Sequence, residues 1–303
     1  MQQIGKQRRN GAMIVANPQW LDTKEYPFTS NIFASGDGDL HYVDVGSGEP
    51  IIFLHGSPDW SFSFRNIIQA LSKRYRCIAI DHLGFGLSDK PINGDYRSES
   101  HSRRVEQLIA ALHLSNVTLI LHDWGGPIGM SYAVNHPENI KSVVIINSWA
   151  WAVDKDWYYQ AFSGMMGGGL GKFFIRQWNL FVHVVVPTSY GDKQKLTPAM
   201  RQHLLMPFSS KESRRGMESF PGAIIKETPW LASIWSKRHA LDHKPMLILW
   251  GMKDIAVRKK ELEQWQAAYP QAEVHTFGDV GHFPHEERPG QTIEYLQAFL
   301  GKQ

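Results

Sequence analysis

The chain has 303 residues, 43% hydrophobic and 20% charged, which is enough apolar material for one large α/β domain with an insertion and excludes a disordered or fibrous protein. Its formal charge of +3 is scattered, with residues 6–9 and Arg214-Arg215 as the only small basic clusters, which argues against a nucleic-acid partner. Cys77 is the single cysteine, so there is no internal disulfide, and no apolar stretch reaches the ~18 residues of a membrane span. Residues 13–16 are too short for the apolar core of a secretory signal, so the expectation is a cytoplasmic protein with no membrane partner.

In chain order, β-rich runs alternate with helical segments from residue 31 to 147. Strands are predicted at 40–45, 51–55, 76–81, 117–122 and 143–147. Several are almost uninterrupted apolar runs, the pattern of parallel strands covered on both faces. Cys77 lies in one of them and reads as a buried strand thiol. Helices are predicted at 100–114, where Val105, Leu108, Ile109 and Leu112 share a face, and at 128–134. The rhythm then stops. From about Trp149 to His239 no comparable strand signal occurs. Six of the 11 tryptophans (149, 151, 157, 178, 230, 235) and Phe162, Phe173, Phe174, Phe181 and Phe208 fall there, predicting a helical insertion with an aromatic inner face. The run Gly167-Gly168-Gly169 with Gly171 follows no strand, so it reads as a hinge or loop rather than a phosphate cradle. The rhythm resumes with a strand at 245–250, a helix at 259–268, a strand at 274–277 and a helix at 291–299. The expected class is α/β with a mostly parallel central sheet. Its core comprises residues 1–148 and 241–303, and a helical cap comprises residues 149–240.

The chemistry concentrates where Leu119-Ile120-Leu121-His122-Asp123-Trp124-Gly125-Gly126-Pro127 reads as a strand, a sharp turn and a helix, with Asp123 on the turn. A carboxylate there is ionised at neutral pH, needs no base to activate it and can displace a leaving group from saturated carbon. The product is an ester that water can cleave, whereas a serine would end as an ether. The candidate base is His282, in Gly278-Asp279-Val280-Gly281-His282-Phe283 after the last strand; most of the other 13 histidines are assigned to the surface or to packing. Asp254, just past Leu247-Ile248-Leu249-Trp250-Gly251, is the candidate acid that orients the imidazole, with a plain helix cap as its simpler alternative. No competing acid follows the strand at 143–146, where the chain runs Asn147-Ser148-Trp149-Ala150. Backbone N–H groups of Trp124 and of Ser57, in His55-Gly56-Ser57-Pro58, are the candidate oxyanion donors, and Ser57-Pro58 is a candidate cis peptide. No metal or organic cofactor is required, and no zinc-ligand spacing occurs.

Taken together, His41-Tyr42-Val43-Asp44, His55-Gly56-Ser57-Pro58-Asp59-Trp60-Ser61-Phe62, Asp81-His82-Leu83-Gly84-Phe85-Gly86-Leu87-Ser88, His122-Asp123-Trp124-Gly125-Gly126-Pro127, Trp250-Gly251-Met252-Lys253-Asp254 and Gly281-His282-Phe283 make the chain resemble the haloalkane dehalogenases over nearly its whole length. The acid after the later strand is similar to that of the subfamilies using Asp. The resemblance implies an α/β-hydrolase fold with a helical cap, and a nucleophile elbow at Asp123. It also implies conversion of a small apolar haloalkane to alcohol and halide through an ester on Asp123, without cofactor. By the same resemblance the Trp124 indole N–H, a donor with no lone pair, holds the departing halide. Ser57 departs from the family, many of whose members place Asn there as the second halide donor. Three readings follow: the halide sits deeper, toward Ser57; one of Trp149, Trp151 or Trp178 supplies the second donor; or the leaving group is not halide. Epoxide hydrolases share the same nucleophile, base and acid and form the alternative. They need two cap tyrosines, for which Tyr158, Tyr159 and Tyr190 are available. Tyr158 and Tyr159 diverge on a helix, so at most one is expected to face the site, and Leu121 stands where epoxide hydrolases usually carry Gly.

Overall fold

The apolar runs become the middle of one ten-stranded sheet. The structure, a computed structural model, describes residues 7–9 and 12–303, with side chains from Ala16 onward; Lys6 of the basic cluster lies outside the described residues. The strands are β1 (Gln7–Arg9), β2 (Ala12–Val15), β3 (Ser30–Ala34), β4 (Asp39–Val45), β5 (Pro50–Leu54), β6 (Arg76–Ile80), β7 (Val117–His122), β8 (Ile140–Ile146), β9 (Met246–Gly251) and β10 (Glu273–Phe277). Their spatial order is 1-2-3-4-6-5-7-8-9-10. Strands β6, β5, β7, β8, β9 and β10 pair in parallel, and β1 to β4 form an antiparallel wing that joins β6 through β4. All six residues of both β7 and β9 are buried, as strands covered on both faces must be.

The seven strands expected from β4 onward are present, with ends shifted by a few residues at most. Strands β1, β2 and β3 were not expected. In β3 the polar Ser30 and Asn31 hide the pattern: both are buried and satisfied internally, Ser30 Oγ by His41 Nε2 at 2.9 Å and the Asn31 amide by Tyr42 O at 3.3 Å. Residues 13–15 lie in β2. Cys77 is buried in β6, and burial pushes its thiol up to about 12.

Among the described residues three α-helices precede the insertion: α1 (Arg65–Leu71), α2 (Ser98–Ala111) and α3 (Gly125–Asn135). Helix α3 begins three residues earlier than expected, because the turn at Asp123 feeds straight into it. Pro127 is tolerated in its first turn, where no intrahelical donor is needed. Between β8 and β9 come α4 (Trp157–Gly167), α5 (Gly169–Trp178), a π-helical turn (Phe181–Val185), α6 (Val186–Ser189), α7 (Pro198–Leu205), α8 (Arg215–Lys226) and α9 (Thr228–Ser236), with no strand among the described residues there. Helices α10 (Lys259–Ala268), α11 (Pro284–Glu287) and α12 (Pro289–Leu300) complete the chain. The glycine run is a one-residue break: Gly168, extended at ψ 174°, separates α4 from α5. Gly167 lets α4 cross α8, since a Cβ there would sit 2.6 Å from the Gly222 backbone.

The aromatic inner face needs correction. Of the insertion aromatics named from sequence, Trp149, Phe162 and Phe181 line the cavity described below. Trp151 and Trp235 instead pack on Trp265 of α10. Trp157, Phe173, Phe174 and Trp178 are exposed. Composition counts aromatic rings, but helix phase decides which way they turn.

Strand β5 has β6 on one side and β7 on the other, so the strand order reverses there. In open α/β sheets the crevice at the carboxyl ends of strands flanking such a reversal is where a site forms. The ends of β5, β7, β8, β9 and β10 all open to it, carrying Ser57, Asp123, Asn147, Asp254 and His282.

Candidate active site

Asp123 sits on the turn between β7 and α3 at φ +49°, a left-handed conformation that costs a non-glycine residue roughly 1–3 kcal/mol. The surroundings hold it there. Its carbonyl accepts the Gly126 N–H at 2.9 Å and the Ser148 hydroxyl, and its own N–H reaches Asn147 O at 3.3 Å. Two neighbours have to be glycine. A Cβ on Gly125 would lie 2.0 Å from Leu54 O, and one on Gly56 would lie 2.1 Å from Asp123 Oδ2.

The Ser57 N–H donates to Asp123 Oδ2 at 2.9 Å, and the Trp124 N–H also acts on the carboxylate. The Ser57-Pro58 peptide is cis. His282 turns Nε2 toward Asp123 Oδ1 at 3.9 Å and donates from Nδ1 to Asp254 Oδ2 at 2.7 Å. A gap of 3.9 Å is too long for a hydrogen bond but admits a water about 2.8 Å from both atoms. The Ala256 N–H fixes Asp254 Oδ1 at 2.7 Å. The loop carrying His282 is tied to the cap, because its N–H donates to Ser189 O at 2.8 Å and Glu287 accepts from Gly281, Gly191 and Asp192.

Burial pushes the Asp123 carboxyl up, against the imidazole and the two backbone donors, which favour its ionised form. Burial is the largest single influence on His282 and disfavours its charge, but it is outweighed in sum by the neighbouring carboxylates, first the charge and hydrogen bond of Asp254. With Asp123 and Asp59 adding to this, His282 rises to about 9.

Asn147, at the end of β8 with φ +36°, is a site residue that sequence reasoning missed. Its Nδ2 donates to the same Asp254 oxygen at 2.7 Å, and its Oδ1 accepts the Gly251 N–H at 2.8 Å. Sequence marked this position only as lacking an acid. Its role depends on β8 lying beside β9, which the linear order does not reveal. Phe220 of α8 was also missed; its ring meets Trp124 edge-on at 5.0 Å and gave no sequence signal.

The carboxylate faces a cavity of about 220 Å³ with apolar walls from Phe162, Phe181, Val185, Ile224 and Ile255. Trp124, Trp149, Ser57 and Tyr159 line it too. The Ser57 hydroxyl, the Trp149 indole N–H and the Tyr159 hydroxyl are buried with no hydrogen-bond partner. Trp149 stands edge-on to Trp124 with ring centroids 4.9 Å apart. Of the three tryptophans weighed as second donor, Trp149 alone lines the cavity. Trp151 is in the core, and Trp178 is on the surface. Both Tyr158 and Tyr159 line the cavity, where at most one was expected. Their rings do diverge, by 83°, but the cavity extends past both. The Tyr158 hydroxyl is engaged by Ile255 O, and Tyr190 stacks on Phe283 outside the lining.

Beneath His282, folding gathers Asp59, His122 and His285, whose ligand-capable atoms lie within 4.8 Å of one another, although no sequence spacing announced them. They lie outside the cavity lining. Of the three, His122 touches the base's backbone, its Nε2–H held by the His282 carbonyl at 2.9 Å.

Such a constellation can attack saturated carbon, hold an anion leaving it and cleave the resulting ester. The family described as alpha/beta hydrolase fold matches residues 49–289. Haloalkane dehalogenase 2 of Mycobacterium tuberculosis (strain ATCC 25618 / H37Rv) is 36% identical over 270 residues, covering 88% of this chain and 93% of that protein. The cis-3-alkyl-4-alkyloxetan-2-one decarboxylase of Shewanella oneidensis is 33% identical over 291 residues, covering 92% and 90%. Among solved structures, the haloalkane dehalogenase DatA from Agrobacterium tumefaciens C58 superposes with a TM-score of 0.81 at 26% identity, over 90% of this chain and 96% of that one.

Proposed function

This chain belongs to the alpha/beta hydrolase fold family, among the haloalkane dehalogenases and their relatives, and on that premise we propose that it cleaves carbon–halogen bonds through a covalent ester on Asp123. One observation carries the reading: a carboxylate on the strained turn, gripped by the Ser57 N–H at 2.9 Å and faced by a histidine that is itself paired to a second carboxylate at 2.7 Å. Asp123 attacks the halogen-bearing carbon in line, and its oxygen forms the new bond as the halide leaves with the bonding electrons. The Trp124 indole N–H and, as second donor, the Trp149 indole N–H receive the halide. Ser57, whose hydroxyl is buried without a partner, is also part of the lining. His282, oriented by Asp254, then takes a proton from water that attacks the Asp123 ester carbonyl. The oxyanion forms where Asp123 Oδ2 accepts the Ser57 N–H, with the Trp124 N–H beside it; such a donor contributes roughly 2.7–4 kcal/mol. Collapse releases the alcohol and restores the carboxylate.

Epoxide opening draws less support, since Tyr159 is the only cap tyrosine presenting a free hydroxyl to the cavity. A different second reading has a specific observation behind it. Ser57 replaces the usual halide donor, and the extra Tyr159 hydroxyl suits a leaving group with oxygen acceptors, such as the carboxylate released when Asp123 opens a 2-oxetanone at its ring C–O carbon. Loss of CO2 with return of the Asp123 carboxylate would leave an alkene. The experiment is halide release from bromo- and chloroalkanes, with alkene and CO2 release from a dialkyl oxetanone in parallel and Asp123→Asn as control. Halide from the intact chain alone supports dehalogenation. Alkene without halide moves the assignment to the oxetanone.

A further inference from the structure

Three side chains that the chemistry of Asp123 leaves unused meet behind the base. Asp59, His122 and His285 come from the loop after β5, the end of β7 and α11, and none is more than 2% exposed. What they present to one another is mostly lone pairs. The His122 Nε2 proton goes to the His282 carbonyl, which can only accept, so Nδ1 of the neutral ring carries none. Asp59 Oδ1 accepts the Trp60 N–H at 2.8 Å, and Oδ2 is left facing that Nδ1 at 3.9 Å. Neither of these two atoms has a hydrogen-bond partner, nor has either ring nitrogen of His285. A neutral His285 supplies one proton at most, so acceptors outnumber donors in a place that water would otherwise have to satisfy.

Two imidazole nitrogens and a carboxylate oxygen, all within 4.8 Å of one another, are a donor set suited to zinc and its neighbours among the divalent transition ions. The surroundings are those of metal ligands as well. A ligating histidine usually gives its other N–H to a carbonyl or carboxylate, as His122 does, and a ligating carboxylate is itself hydrogen-bonded, as Asp59 is by Trp60. The 3.9 Å gap exceeds the roughly 3.3 Å between two ligands of a tetrahedral zinc at ~2.0 Å from each, a difference that a small rotation of the Asp59 carboxylate closes. No hydrogen bond holds the His285 ring against a similar adjustment.

Place gives such an ion a purpose. Asp59 is two residues past Ser57, His122 immediately precedes Asp123, and His285 is three residues past His282. A single ion there ties together the segments that carry the oxyanion donor, the nucleophile and the base.

We propose that Asp59 Oδ2, His122 Nδ1 and one ring nitrogen of His285 bind a divalent transition-metal ion of the zinc type, which staples these three segments from behind and takes no part in the bond chemistry. That the staple keeps catalytic groups in register rests on the function proposed above; the binding itself does not.

The test uses the untagged full chain, produced with zinc in the medium and dialysed against a weak chelator, with zinc read by elemental analysis. The expected result is about one zinc per chain, and a higher unfolding temperature than that of the chain stripped by a strong chelator. The stripped chain should keep its fold, and there the pH response of the site is that of the side chains alone. Asp59→Asn and His285→Gln should each retain at least about tenfold less zinc, whereas His282→Ala should keep it. X-ray absorption at the zinc edge of the unaltered chain should show two imidazoles in a shell of nitrogen and oxygen, a result that needs no variant to fold. Less than about 0.1 zinc per chain overturns the proposal, since protons and water then meet these lone pairs. So does a shell with fewer than two imidazoles, or zinc that His282→Ala loses and His285→Gln keeps, which would give the ion to the catalytic pair. Zinc content is read without turnover, so an inactive chain would sink the catalytic reading and leave this one standing.

Discussion

Replacing Asp254 with Asn tests the division of labour between the two half-reactions. The substitution keeps an oxygen to accept from His282 Nδ1 and from Asn147, but removes the charge 2.7 Å from the imidazole and the acceptor of the Ala256 N–H. The rise of His282 from 6.5 to about 9 corresponds to roughly 3 kcal/mol in favour of the imidazolium, at ~1.36 kcal/mol per tenfold, with the Asp254 carboxylate as its largest source. The imidazolium develops when water attacks the ester and not when Asp123 attacks carbon. Ester hydrolysis should therefore slow by about 10²-fold, while alkylation changes by less than about threefold. In a rapid-quench experiment with a bromoalkane, Asp254→Asn should release one bromide per chain in a burst and then turn over slowly, and intact mass spectrometry should find the alkylated protein accumulating. Loss of the burst itself in a folded variant, or steady turnover at the unaltered rate, would refute the reasoning.

Forming the ester removes the Asp123 charge that helps hold the proton on His282. The decay of a pre-formed ester should accordingly quicken as pH rises and the imidazole becomes neutral, with a midpoint below about 9; a decay that slows with rising pH would contradict a histidine base. Trp149→Phe deletes the indole N–H without changing the ring's place in the wall, so the halide inhibition constant should weaken by about tenfold, whereas an unchanged constant would return the second-donor role to Ser57. Asn147→Ala frees both Asp254 and Gly251 and should lower kcat by about tenfold at nearly constant KM, measured by halide release; a pure KM effect would argue against its orienting role. Burial raises the Asp59 carboxyl from 3.8 to about 7, so its contribution to stability is present below about 4 and is lost as pH climbs through 7. Asp59→Asn cannot ionise, and thermal melts should find it gaining on the parent chain by about 2–3 kcal/mol between pH 5 and 8; parallel curves would show that Asp59 is not so perturbed.

What the sequence determined by itself was whatever local pattern encodes. Strand β7 announces itself in six apolar-rich residues, and the turn at Asp123 in the Trp-Gly-Gly-Pro that follows, because a strand-to-helix turn of this tightness needs those glycines on its own stretch of chain. The positions of His282 and Asp254 were legible because each lies in the loop that follows a strand of a parallel sheet, and such strands end on one edge. The tertiary structure alone decided which distant groups face them. Asn147 acts on Asp254 only because β8 and β9 are adjacent, across an insertion of about ninety residues that linear order cannot bridge. Wing strand β3 was hidden because its buried Ser30 and Asn31 find partners on β4, and a buried polar residue reads as exposed until its partner is known. The cap made the limit plainest. Its aromatic content was countable, but the division into Trp149 at the cavity, Trp151 in the core and Trp178 on the surface was set by the packing of the loop after β8 and by the phase of α5, which composition does not carry.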